Sequence, residues 1–190
     1  MYSMVISDLF YLTQPALGLG SPNPGFVSQM LESQRQGRSA MPLRLGLAKT
    51  AFVRMIRYYR LEKKPAPGWD IPQQHPSFMP ERNDLLHLLH DHRTVPHHEA
   101  QWMATIVVTA CSGSDHLWSD LGLRHRDDLS RLLLHNFRTL AQRNTGDMKW
   151  KKFLYRQLWE QEGFSLCAAP SCHVCPDCPP CFGLEHPVAQ

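Results

Sequence analysis

The sequence has no long hydrophobic run, little net charge and almost no cysteine before residue 167. None of its apolar stretches approaches the roughly 20 residues that a membrane-spanning helix needs, so we expect no membrane association. The first 20 residues lack a basic leading region and are interrupted by Asp8, so they do not resemble a secretory signal. A net charge of +3 is too small to indicate nucleic-acid binding. We therefore expect a protein of the reducing cytoplasm.

Motifs of common enzyme classes are also missing. The sequence contains no glycine-rich phosphate loop, no HExxH pattern and no ordered set of serine, histidine and aspartate. Hydrolases and nucleotide-dependent enzymes are therefore disfavoured. What is present, 43% hydrophobic and 9% aromatic residues in a chain of 190, is typical of a globular protein with one ordinary core.

Composition divides the chain into four segments. Residues 1–42 are predicted to be a mobile arm with at most a short helix, because proline, glycine, serine and glutamine dominate most of it. Residues 43–80 combine a helix over 45–61 with a proline-rich linker. Residues 81–163 show helical periodicity and no convincing strand, and residues 164–190 form a cysteine-rich tail. The predicted fold class is all-α, a small helical bundle with an irregular C-terminal loop for a metal cluster.

Four stretches of the bundle segment carry the helical pattern. The first is predicted to be capped near Asn83. The second stays helical through the β-branched run 106–109, because its flanks and length favour a helix. The third covers 126–142, and the fourth is capped at Thr145 or Asp147. The predicted buried faces comprise Met103, Ile106, Val107, Ala110, Leu129, Leu133, Phe137, Leu140, Trp150, Phe153, Leu154 and Leu158.

The cysteines of the tail lie close together in the sequence CAAPSCHVCPDCPPC. They are Cys167, Cys172, Cys175, Cys178 and Cys181. Disulfides are disfavoured in a reducing compartment, and an odd number of thiols does not pair completely. Zinc fingers usually separate two C-x2-C pairs by a dozen or more residues, whereas dense thiolate runs wrap iron–sulfur clusters. The spacing favours an iron–sulfur cluster. The alternatives are a helical interaction module with a structural zinc knuckle and a ferredoxin-like redox carrier.

Polar residues near the cysteines are weaker candidates for ligands. His173 and Asp177 lie inside the loop, where solvated groups or groups beside the ligands are more common than ligands. Lys149, Lys152 and Arg156 share one face of the preceding helix. This face is either simply solvated or balances the charge of a cluster and attracts an oxyanion.

Several other residue groups have a simpler interpretation. A histidine-rich stretch contains His87, His90, His92, His97 and His98. Metal storage is conceivable there, but no cysteine or carboxylate pattern completes a site, so a solvated face is favoured. Cys111 is expected to be a buried core thiol. Core packing, rather than base stacking, is also expected for Trp102, Trp118, Trp150, Phe153 and Trp159.

Three motifs occur in order and together resemble the NifQ family of nitrogen-fixation proteins. They are ACSGSDHLWSDLGL (110–123), NTGDMKWKKFLYRQLWEQEGF (144–164) and the C-x4-C-x2-C-x5-C tail that ends in CFG. The resemblance implies a cytoplasmic Mo-Fe-S cluster protein (iron, sulfide and molybdenum) that takes molybdenum from molybdate. It further implies a donor of molybdenum to FeMo-cofactor biosynthesis for nitrogenase, working with the NifEN scaffold and NifH. Such a protein is a metal carrier rather than an enzyme, with an accessory activity on molybdate left open.

The resemblance also assigns residues. By position, the cluster ligands are Cys167, Cys172, Cys175 and Cys181. Cys178 lies outside the family pattern and is a fifth ligand, a substitute or a bystander, and His173 is a weaker candidate. His116, in the first motif, either approaches the cluster or fills a core or capping position. Trp159 stands where many relatives are expected to have a cysteine, which implies that the cluster does not need that position.

Overall fold

The computed structural model describes residues 20–61 and 79–161, which form helices and no strand. The helices are α1 (Asn23–Arg35), α2 (Lys49–Tyr58), α3 (Arg82–Asp91), α4 (His97–Cys111), α5 (Leu117–Leu121), α6 (Arg126–Asn136), α7 (Arg138–Ala141) and α8 (Trp150–Gln161). The all-α class is confirmed for these residues, and the predicted cysteine-rich loop lies outside them. None of the described helices is long and apolar enough to cross a membrane. The division into four segments stays a prediction.

The central helix of the fold is α4. Eleven of its 15 residues are buried, as expected of a helix surrounded by others. The helices α2, α3 and α5 pack against α4, while α8 packs against α3. The β-branched run 106–109 is helical, and every residue of the predicted buried faces is buried. Four of the five expected core aromatics are buried too, and Trp159 is only partly so.

The helix α1 is longer than the composition of its segment suggests. It has 13 residues, and its buried apolar side chains are Phe26, Val27, Met30 and Leu31. Their spacing places them on one side of a helix. The sequence Asn-Pro-Gly at its start reads as a loop, but the first turn of a helix accommodates proline because the amide that proline lacks has no partner there. The helix packs against α6, so this part of the predicted arm belongs to the core.

The predicted helix over 126–142 is interrupted. Phe137 has φ −139° and ψ 51°, which separates α6 from α7. Asn136 and Phe137 are neighbours and both are completely buried. The irregular backbone at Phe137 separates the two helices at a point where both side chains lie in the interior.

Three predicted helix starts are also displaced. The helix predicted over 45–61 begins at Lys49. The helix α3 begins at Arg82, so Asn83 lies within its first turn instead of capping it. The helix α8 begins at Trp150, after both predicted caps. The residues before α8 form a turn that the Asn144 side chain holds. This side chain accepts a hydrogen bond from the Met148 amide and donates one to the Met148 carbonyl, both at 2.8 Å.

A buried carboxylate, that of Glu99, joins the ends of several helices. Glu99 is 3% exposed, and its Oε2 accepts hydrogen bonds from Asn23 Nδ2 (3.1 Å) and the Tyr59 hydroxyl (2.9 Å). Its Oε1 accepts one from the Tyr58 hydroxyl at 3.2 Å. Asn23 and Asn136 exchange two amide hydrogen bonds of 2.8 Å. Neutral donors from α1, α2 and the residue after α2 thus satisfy a charge on α4.

The tyrosines of this network are held in their neutral, donating form. Burial, followed by the nearby Glu99 charge and its hydrogen bond, raises the pKa of Tyr58 to about 12. The same causes raise the pKa of Tyr59 further. Both hydroxyls therefore keep the proton that they donate to Glu99 at any physiological pH.

Replacing Glu99 with alanine is expected to lower the free energy of unfolding by about 3 kcal/mol, because two buried donors and one half-buried donor lose their acceptor. Tyr58→Phe should cost less than Tyr59→Phe, since Tyr58 is only half-buried and the Tyr59 side chain is buried. Urea unfolding monitored by circular dichroism measures these differences. As a control, Glu32→Ala removes a half-exposed carboxylate and should cost less than about 1 kcal/mol. Equal stabilities for the Glu99 and Glu32 variants would contradict the role of the network.

Candidate functional site

The predicted ligands lie outside the described residues. This applies to Cys167, Cys172, Cys175, Cys178 and Cys181, and also to His173. Their assignments therefore stay predictions. The structure does describe α8, which ends at Gln161, six residues before Cys167. It also describes the first family motif and most of the second, and it shows how those two are held together.

Lys151 connects these two motifs. From the first turn of α8, its Nζ donates to the carbonyl oxygens of Gly113 (2.8 Å) and Asp115 (2.6 Å). The same ammonium forms an ion pair with the Asp120 carboxylate of α5. The Asp120 side chain is 4% exposed and that of Lys151 19%. A largely buried cation with three oxygen acceptors fixes the start of α8 against the loop that follows α4.

The loop is shaped around the Asp120 carboxylate. Asp120 Oδ2 also accepts the Asp115 amide at 3.2 Å. A Cβ atom on Gly113 would collide with the Asp120 carboxylate, so the close approach requires glycine at this position. The sequence SGSD therefore forms a loop whose backbone fits closely around the ion pair of Lys151 and Asp120.

His116 lies at the start of α5, directly after this loop. It occupies the N-cap position of the helix and is half-buried. Its amide donates to Asp115 Oδ1 at 2.7 Å, and Ser119 donates to Asp115 Oδ2 at 2.8 Å. Burial opposes the ionisation of Asp115, but these two hydrogen bonds and the nearby positive charges hold its pKa below the usual value. The His116 side chain makes no capping hydrogen bond to α5, and both the capping interpretation and proximity to the cluster stay predictions.

Cys111, the last residue of α4, is a buried core thiol as expected. Burial raises its pKa to about 12, with the Asp120 charge acting in the same direction and the Lys151 charge opposing it. Because metals bind the thiolate form, a thiol that stays protonated at neutral pH is poorly suited to be a ligand. The sequence interpretation of Cys111 is therefore supported by its environment.

The histidine-rich stretch is divided among several environments. The rings of His90 and His97 stack with centroids 5.6 Å apart, while His98 packs edge-on against an aromatic pair. Burial is the largest cause that lowers the pKa of His90, His92 and His98. The expected solvated face is correct only for His87 and His97, which are exposed. Within 20–61 and 79–161, no group of three metal-ligating side chains is suited to a metal ion.

The basic residues of α8 differ in their surroundings. Lys152 and Arg156 are exposed and Lys149 is half-buried. Arg156 Nε donates to Glu160 Oε1 at 2.6 Å, and both side chains are 45% exposed. A surface pair of this kind contributes little to stability. Both interpretations of this face, charge balance for a cluster and simple solvation, stay predictions.

These features define a class of protein: a single helical core with its clustered thiols placed in the sequence after the last described helix. Comparison with known proteins gives the family. The family model NifQ matches residues 26–183, and the chain belongs to the NifQ family, which is associated with nitrogen fixation. The resemblance inferred from three motifs is thus confirmed. The match extends beyond those motifs, because it also includes most of α1 and all of α2.

Individual relatives agree with this assignment. Protein NifQ of Azotobacter vinelandii is 40% identical over 171 residues, covering 84% of this chain and 88% of the relative. Protein NifQ of Rhodobacter capsulatus is 32% identical over 179 residues, with coverages of 92% and 96%. A NifQ homolog of Sinorhizobium fredii (strain NBRC 101917 / NGR234) is 38% identical over 151 residues, with coverages of 80% and 62%. No solved structure matches the chain significantly.

Proposed function

We propose that this protein carries a molybdenum–iron–sulfur cluster on its C-terminal segment and donates the molybdenum to assembly of the iron–molybdenum cofactor of nitrogenase. The observation that carries the proposal is the C-x4-C-x2-C-x5-C spacing, which falls within the region matched by the family. Soft thiolates hold iron in sulfide clusters. The donor set fits this cargo, because thiolates are the ligands that iron–sulfur clusters take in proteins.

The proposed ligands are Cys167, Cys172, Cys175 and Cys181. Their thiolates bind the iron of the cargo, and few protein groups bind the molybdenum, so that the heavier metal is able to leave. Molybdate is the proposed source, and the NifEN scaffold with NifH is the proposed acceptor. The protein acts in the cytoplasm as a carrier and not as a catalyst.

The anchored start of α8 supports this arrangement. Lys151 fixes the first turn of the helix, and the cysteine segment follows the helix after a short stretch of chain. A segment that must hold a cluster and then present it to an acceptor benefits from a fixed point of attachment, because less conformational freedom is lost when it docks.

Metal analysis tests the proposal. Protein purified without oxygen is expected to contain molybdenum, iron and acid-labile sulfide and to absorb in the visible. A colourless preparation with zinc alone and no sulfide would overturn the proposal in favour of a structural zinc knuckle. In that case, removal of the zinc should unfold the tail. Reversible one-electron chemistry with no molybdenum would instead indicate a ferredoxin-like carrier.

A further inference from the structure

Although the net charge of the chain is small, its first third contains a strongly basic block. Between Glu32 and Glu62 the sequence contains no carboxylate side chain. It contains seven basic residues over the same interval: Arg35, Arg38, Arg44, Lys49, Arg54, Arg57 and Arg60. The block spans α2, whose two faces differ more in polarity than those of the other described helices of ten or more residues.

The helix α2 presents its basic residues from a rigid base. Its inner face is formed by Phe52 and Met55, both 0% exposed. Its C-terminal end is tied to the buried Glu99 through Tyr58 and the following tyrosine. Rotation of 100° per residue places the outer basic residues together, and all of them are exposed: Lys49, Arg54, Arg57 and, just after the helix, Arg60.

Arg60 has a conformation that normally favours glycine. Its φ is +50°, and the surrounding turn closes α2 through hydrogen bonds from Arg60 N to Arg57 O (3.1 Å) and from Leu61 N to Ile56 O (3.0 Å). Glycine is the usual residue at such a left-handed helix end. A cation at this end of the helix interacts favourably with the helix dipole. The exposed Arg60 side chain also extends the basic face of α2 beyond the end of the helix.

We infer that the outer face of α2 is an electrostatic docking surface for an acidic protein. The inference rests on the proposed function, because the partner is then the scaffold that accepts molybdenum, bound through a carboxylate-rich surface. Complementary charge across an interface mainly accelerates association and fixes orientation. Exposed cations on a helix whose own stretch of sequence contains no carboxylate are suited to that role.

Three other anionic partners fit this face less well. A membrane-surface helix inserts its apolar side into lipid, whereas the apolar side of α2 is used in the core. Single-stranded nucleic acid needs exposed aromatic rings for stacking, and Tyr58 and Tyr59 face the buried Glu99 instead. Duplex DNA binding of useful strength takes several more phosphate contacts than α2 provides.

The test is the association rate with purified NifEN scaffold, measured by biolayer interferometry at two salt concentrations. The double variant R57E/R60E is expected to associate at least about tenfold more slowly than wild type at low salt, with a weaker salt dependence. The matched control R124E/R138E reverses two exposed charges on other parts of the surface and should associate at nearly the wild-type rate. Equal rates for the two double variants would overturn the inference.

The variant R60G separates docking from folding. Glycine relieves the left-handed strain at this position, so thermal stability should be unchanged or raised while association slows. Slower association only in variants with lowered stability would count against the docking role. Binding of a 20-bp DNA duplex, or of vesicles containing anionic lipid, with the same sensitivity to R57E/R60E and no scaffold binding would also overturn it.

Metal content distinguishes this inference from the proposed function. The R57E/R60E variant should contain as much molybdenum and iron as the wild type, because α2 is not part of the ligand segment. Wild-type protein without molybdenum overturns the proposed function whatever the binding rates are. A normal metal content with unchanged association of R57E/R60E overturns the docking surface alone.

Discussion

Replacing Cys172 or Cys175 with alanine is expected to remove most of the molybdenum and iron from the protein. The two residues form a C-x2-C pair in the sequence, and this spacing allows two thiolates to bind one metal centre. In the proposed cluster, loss of either thiolate would leave an iron with an open position. Metal content by mass spectrometry and the visible absorbance of anaerobically purified protein measure the effect.

Cys178 provides the matched control. It lies three residues from Cys175 in the same proline-rich stretch, so Cys178→Ala makes the same chemical change in the same local context. Because Cys178 is outside the family spacing, this variant should retain most of its metal. Equal losses from the Cys172, Cys175 and Cys178 variants would refute the proposed ligand set, while leaving the general role of the thiols intact.

The helical core was predictable because its signal is local. Apolar side chains at three- and four-residue spacings mark α4, α6 and α8, and burial follows that pattern in each helix. The β-branched run 106–109 stays helical since α4 is enclosed by other helices, so tertiary packing outweighs intrinsic propensity. Recognition of the family likewise depended on short motifs in a fixed order, and the comparisons confirm it.

The polar interior was not predictable, because its signal is distributed along the chain. Asn23 and Asn136 are 113 positions apart and yet exchange hydrogen bonds. Glu99 appears as an ordinary acidic residue in the first turn of a helix, and only the folded chain brings Tyr58 and Tyr59 to it. The helix break at Phe137 was not predicted either, because the apolar spacing continues through it from Leu133 to Leu140.

Lys151 shows most clearly what the sequence did not reveal about the site. In the sequence it is one of several basic residues near the start of α8, beside Lys149 and Lys152. In the structure it is the residue that joins the two family motifs, with Gly113 and Asp120 as partners. A glycine and an aspartate seven residues apart, SGSDHLWSD, would have been the signal, but only with the knowledge that a distant lysine completes it.

Replacing Lys151 with methionine is expected to lower the free energy of unfolding by about 3 kcal/mol or more. Methionine keeps most of the volume, so the loss comes from an Asp120 carboxylate left buried without its cation. The carbonyls of Gly113 and Asp115 lose a donor as well. The neighbouring Lys152→Met removes an exposed charge of the same type and should cost less than about 1 kcal/mol. Chemical denaturation of the variants measures the difference.

A double-mutant cycle separates the ion pair from general damage to the loop. Asp120→Asn combined with Lys151→Met removes both charges, and the double variant should be more stable than Lys151→Met alone because no buried charge is left uncompensated. Part of the loss should persist, since the two carbonyls still lack a donor. Simple additivity of the two single changes would mean that Lys151 and Asp120 do not stabilise each other. The anchor at the start of α8 would then depend on packing and on the two carbonyl hydrogen bonds alone.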